Sequence, residues 1–268
     1  MIIAFLVGKR EQFWKSISVA WWLVDAWVLT MITIPIARWT AGDDVLPWRM
    51  TLSVCLLALA MIAALWEQWG GWVAVRVALS VGVLAWALEW LGSTTGFPFG
   101  VYHYTSLLQP QLAGVPLLIP LAWLMMLPPA WAVASLIVGG RRDWRFVLVS
   151  AAAFTAWDLF LDPQMVGWGY WVWANPGGYF GIPWVNFAGW LLGSALITAI
   201  VRPGQLAAPI FVAVYAITWF LQTVGQGLFW QMPGPALVGG VVMGFFLLLA
   251  YLRVQRTASL QHSAQPLL

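Results

Sequence analysis

The sequence predicts an all-α polytopic membrane protein with about eight transmembrane helices and an internal parallel repeat of a helix-loop-helix unit carrying long aromatic outer loops. Three observations predict it. Hydrophobic residues make up 62% of the 268-residue chain and charged residues only 8%, too little polar surface to cover a soluble domain. Apolar runs that can cross a hydrocarbon core of about 30 Å recur from end to end. An acid followed by an aromatic, glycine-rich loop and a Gly-x-Pro return occurs twice at matched spacing.

The apolar runs fall near 17–37, 49–66, 72–90, 115–138, 146–161, 185–201, 206–228 and 236–252. The fifth and sixth are the weakest, because proline and glycine interrupt that region and the run before Asp158 is short. The apolar stretch 1–7 precedes Lys9 and Arg10 and has no small-residue cleavage site, so it is not read as a signal peptide. Residues 1–253 thus form one membrane domain, and the polar stretch 254–268 is expected to be a disordered cytoplasmic tail.

Lysine and arginine set the orientation, since they accumulate on the cytoplasmic side. With the N-terminus inside, Lys9, Arg10, Lys15, Arg76, Arg141, Arg142, Arg145, Arg202, Arg253 and Arg256 are cytoplasmic, and only Arg38 and Arg49 lie outside. Both termini are then cytoplasmic, in a multi-pass protein of the cell membrane. The net charge of +3 follows from these flanks and implies no nucleic acid.

The repeat copies cover about 72–138 and 146–201. In the first, Glu89 leads by eleven residues to Gly100, then to Tyr102, His103 and Tyr104, and on to Gly114, Pro116 and Trp123. In the second, Asp158 leads by the same step to Gly169, then to Tyr170, Trp171 and Trp173, and on to Gly181, Pro183 and Trp190. Lone carboxylates at membrane depth are expensive, so their repetition points to a shared pocket. Both copies begin on the same side, which makes the repeat parallel.

Some chemistries are excluded by inventory. One cysteine, Cys55, offers neither a disulfide nor a thiolate cluster, and two histidines cannot build a multi-histidine iron site, so no metal is expected. What remains is acid chemistry in an aromatic enclosure. Asp158 and Asp162 are four apart and can share a helical face, although Pro163 disfavours helical geometry at Asp162 and marks the helix end there. Two carboxylates facing a dry cavity would hold a proton between them; the plainer reading is that either one caps a loop. His103, between two tyrosines, is a candidate proton relay, though a lone histidine is more often structural. Asp25 is a further intramembrane acid expected to face the interior. Gln222 and Gln226 share a face and suit helix-to-helix hydrogen bonds.

From Glu89 through Gly100-Val101-Tyr102, Gly114-Val115-Pro116, Pro120-Leu121-Ala122-Trp123, and the run from Trp157 to Pro163, the chain resembles the CruF-type membrane carotenoid biosynthesis proteins, the carotenoid 1,2-hydratase family. Gly181-Ile182-Pro183 with Asn186-Phe187 and Gly189-Trp190 extends the resemblance. It implies a cofactor-independent hydro-lyase that adds water to the terminal double bond of an acyclic carotenoid end, as in lycopene or a monocyclic carotene. Its implied partners are carotenoid, water, membrane lipid and, as conceivable neighbours, other carotenoid biosynthesis enzymes. On chemistry and placement, Asp158 or Asp162 is the proton donor and Glu89 its partner or water-orienting base. Tyr102, His103 and Asn186 would position water, and Trp157, Trp171 and Trp173 would line the pocket. An isoprenoid isomerase or cyclase and a carotenoid-binding or transport protein are the alternatives.

Overall fold

A computed structural model describes residues 18–207 and 209–263. Lys9, Arg10, Lys15 and residues 264–268 lie outside the described residues. Among the described residues, eight helices are long and apolar enough to cross a membrane, as the sequence predicts. They are α1 (Val19–Ala41), α2 (Leu46–Trp69), α3 (Gly71–Thr95), α4 (Leu118–Ile137), α5 (Trp144–Gly167), α6 (Trp184–Val201), α7 (Pro209–Val224) and α8 (Pro233–Ser263). A π-helix, Gly225–Phe229, continues α7. Here α8 runs ten residues past Arg253, so the stretch expected to be a disordered tail from 254 is helical as far as Ser263.

Burial sorts the helices into a centre and a surround. Within their most apolar windows α4 is 83% buried and α5 67%, whereas the others range from 22% to 44%. The two central helices therefore face protein on nearly every side, and the outer six present apolar side chains to lipid. Asp25, expected to face inward, is exposed on α1.

Proline inside the central helices needs compensation, because each one removes a backbone donor from the helical ladder. Pro163 does not end α5 at Asp162 as the sequence reading expects; the helix continues to Gly167. The carbonyl that Pro163 leaves without a donor is that of Leu159, and it accepts a hydrogen bond from Tyr179 Oη at 3.0 Å. Its neighbour, the Phe160 carbonyl, accepts from Gln226 Nε2 at 2.7 Å. Gln226 also donates to Gln164 and Gln222, so the polar contact expected between helices ties α7 to α5 at this level. Repair from outside keeps Asp162 helical, one turn beyond Asp158.

The two long loops fold against one another. Strand β1 (Tyr102–Tyr104) in the first pairs antiparallel with β4 (Trp171–Trp173) in the second, matching Tyr102 with Trp173 and Tyr104 with Trp171. The first loop also forms a small hairpin from β2 (Gln111–Leu112) and β3 (Val115–Pro116), and the second closes through bridges at Gly177–Gly181 and Tyr179–Ile182. Alternation along β1 and β4 buries Tyr102, Trp171 and Trp173 and turns His103 and Val172 outward. The paired loops thus cover the helix ends with a buried aromatic face.

Candidate active site

Beneath that face α3, α4, α5 and α6 bring three carboxylates together. Glu89 on α3 is 4% exposed, and Asp158 and Asp162 on α5 are 0% and 2% exposed. Such groups are tolerated away from water only with partners. Glu89 has three. Tyr102 Oη donates to its Oε2 at 2.6 Å, Tyr104 Oη to the same oxygen at 2.7 Å, and Trp123 Nε1 to Oε1 at 3.0 Å. Burial, and then the Glu89 carboxylate beside them, push both tyrosine hydroxyls well above the usual phenol range. They stay protonated, and so remain donors.

The aspartates are arranged differently. Asn186 on α6 donates through one nitrogen to both, at 3.0 Å to Asp158 Oδ2 and through a short hydrogen bond to Asp162 Oδ2. Trp171 Nε1 supplies Asp162 Oδ1 at 3.1 Å. Asp158 Oδ1 is buried with no hydrogen-bond partner. One shared amide and one indole N–H are few donors for two buried carboxylates, which suits a pair that holds a proton.

Glu89 and Asp162 line one cavity of about 20 Å³, room for roughly one water. Asp158 stands behind Asp162, outside the lining. Aromatic rings make most of the wall: Phe99, Tyr102, Tyr104, Trp123, Trp171, Trp173 and Trp190. Trp123 and Trp190, the tryptophans at matched spacing after each Gly-x-Pro, stack on one another with centroids 4.8 Å apart and planes 19° apart. Phe154 stacks on Trp190 at 5.2 Å and packs tilted against Trp123 at 5.0 Å, so the three rings touch one another. Faces of this kind attract cations through their quadrupoles.

Of the residues singled out in the sequence, Glu89, Asp162, Tyr102, Asn186, Trp171 and Trp173 line this cavity. Trp157 lies one layer away, in a neighbouring apolar chamber, with its Nε1 unpartnered. His103 is not brought to the site, since its side chain is on the exposed face of β1. Sequence reasoning left out Tyr104, Trp123 and Trp190 as site residues. The two-residue strand period would have placed Tyr104 beside Tyr102, and the repeated tryptophan spacing marked the other two.

Close approach of the loop to the helices depends on glycine. A Cβ at Gly189 would lie 2.7 Å from the Pro98 carbonyl oxygen and 2.7 Å from the Phe99 ring, and a Cβ at Gly92 would also strike that ring. Backbone cannot step aside as a flexible side chain can. Gly189→Ala is therefore expected to cost about 1–3 kcal/mol through overpacking, read as a lower unfolding midpoint in detergent.

Comparison with known proteins fits this architecture. A family model described as "Carotenoid biosynthesis protein" matches residues 49–246, which contain every group named in the site. The chain belongs to the carotenoid biosynthesis protein family. That membership bears out the resemblance to CruF-type proteins drawn from the sequence. Among curated relatives, a bisanhydrobacterioruberin hydratase from Haloarcula japonica is 32% identical over 121 residues. The match spans 44% of this chain and 41% of that relative. No solved structure matches the chain.

Proposed function

We propose that this chain is a carotenoid 1,2-hydratase acting on an acyclic carotenoid end by protonation and water capture. The observation that carries the reading is the pairing of two unlike acidic centres across one small aromatic cavity. A proton-bearing aspartate pair faces a carboxylate that is saturated with donors. The family and the hydratase named among its relatives support the substrate class.

In this reading Asp162 transfers a proton to the less substituted carbon of the terminal double bond, and the π pair forms the new C–H bond. Positive charge moves to the tertiary carbon, where the rings of Trp123, Trp171 and Trp190 and the Glu89 carboxylate stabilise it. Water attacks that carbon and gives up a proton to Glu89, leaving a tertiary alcohol. Proton return from Glu89 to the aspartate pair restores the site, so the balance is one alkene plus one water. Room for a single water beside Glu89 favours hydration over isomerisation, which must keep water out.

The direct test is expression in a lycopene-producing bacterium with mass analysis of the pigments. The proposal expects products heavier by one water; a product of unchanged mass and altered spectrum would point to an isomerase or cyclase instead. Orientation is part of the proposal, with both termini cytoplasmic and the aromatic loops outside. His103→Cys, exposed on β1, is expected to react with a membrane-impermeant maleimide in intact cells. Labelling only after the cells are broken would reverse the assignment.

A further inference from the structure

The acid cavity is the innermost of three neighbouring cavities that share walls. It shares Ile119, Ala122, Leu161 and Trp171 with an apolar chamber of about 50 Å³. That chamber shares Met31, Met50 and Gln222 with a groove of about 370 Å³ between α1 and α7. The groove's outer wall includes Ile32, Ile36, Trp39 and Phe220, which are 49%, 50%, 64% and 56% exposed. On membrane-spanning helices these side chains face lipid. A line of shared walls therefore leads from the bilayer to Asp162 without passing through the loops.

Two features fit this line to passage rather than to static packing. The chamber is walled by Met31, Met50, Met125 and Met165, unbranched side chains that can rearrange around a guest. At the mouth the regular turns of α7 give way to the π-helix, where Phe229 meets Trp39 edge-on at 5.7 Å. At rest the chamber is smaller than a branched isoprenoid end. Loading would require the methionines to swing aside.

Resting on the carotenoid reading above, the geometry points to a lateral portal between α1 and the end of α7, through which an acyclic polyene slides end-first from the membrane to Asp162. The occupant is a long apolar chain with an apolar reactive tip, since the walls stay largely apolar until the carboxylates. Gln164 and Gln222 interrupt the groove wall midway. The body of the polyene stays in the groove while its tip reacts. This accounts for a reaction cavity that is itself so small.

The test joins the two sides of the mouth. In a Cys55→Ser background, Trp39→Cys with Phe229→Cys is bridged by a reducible bis-maleimide, and both hydration and carotenoid binding are measured in detergent. Bridging is expected to lower both at least tenfold, and reductant to restore them; each single-cysteine variant should be indifferent to the reagent. If the pair does not fold, Ile36→Trp, which fills the groove from its exposed side, is expected to give the same loss. Full turnover in the bridged protein would overturn the portal and leave the hydratase reading intact. Carotenoid binding without hydration in the wild type, with binding lost on bridging the double-cysteine variant, would support the portal and remove the hydratase. Neither binding nor turnover in the wild type would overturn both.

Discussion

Asp162→Asn is expected to fold, to bind carotenoid, and to hydrate it about 10²–10⁴-fold more slowly than the wild type, the usual worth of a positioned acid. The substitution is nearly isosteric and keeps an acceptor for Trp171 Nε1. It removes the proton aimed into the cavity, and Asn186 must turn its amide to accept from the new Nδ2 where it now donates to Oδ2. Asp158→Asn should cost less, because Asp158 stands behind Asp162 and reaches the substrate only through it. Stability should change little in both variants, since one acid of a buried, proton-sharing pair gives way to a neutral amide of the same size. Turnover per folded protein, set against thermal unfolding in detergent, separates the two effects. Equal losses at both positions would deny Asp162 its special place.

Glu89→Gln is expected to cut turnover about 10²-fold and also to destabilise the protein. Glutamine retains one carbonyl oxygen for donors that now meet two carboxylate oxygens. The tyrosine hydroxyls can rotate, but the Trp123 N–H is fixed and would face an amide N–H or lose its partner. An orphaned buried donor costs about 1–3 kcal/mol. Tyr102→Phe and Tyr104→Phe each remove one of two hydroxyls on the same oxygen, and should have smaller effects on both measures. A Glu89→Gln protein of wild-type stability and turnover would leave the three-donor cluster without a role.

The eight spans were legible because lipid imposes a simple rule on composition, and the paired acids were legible because buried charge is costly enough to stand out. Tertiary partners were less so. Pro163 was read as a helix end because a proline's missing donor is local, whereas the hydroxyl that answers it comes from Tyr179, across the second loop. His103 drew attention by its chemistry, yet the same Tyr-His-Tyr triplet read as a strand sends it away from the site. Its partner triplet, Trp-Val-Trp, alternates in step, and the two pair residue for residue. That antiparallel pairing and the stacking of Trp123 on Trp190 close one cavity between the two loops and the helices beneath them. Asn186 was a lone polar point in sequence. Only the packing of α6 against α5 makes it the bridge between the aspartates.

The most direct measurement of the central claim is turnover of lycopene by the purified protein in heavy water, followed by exchange of the product back into ordinary water. Protonation at carbon leaves one deuterium that does not wash out, on the carbon next to the new tertiary alcohol, and Asp162→Asn should nearly abolish its incorporation. A hydrated product without that carbon-bound deuterium, or undiminished labelling in Asp162→Asn, would contradict the account.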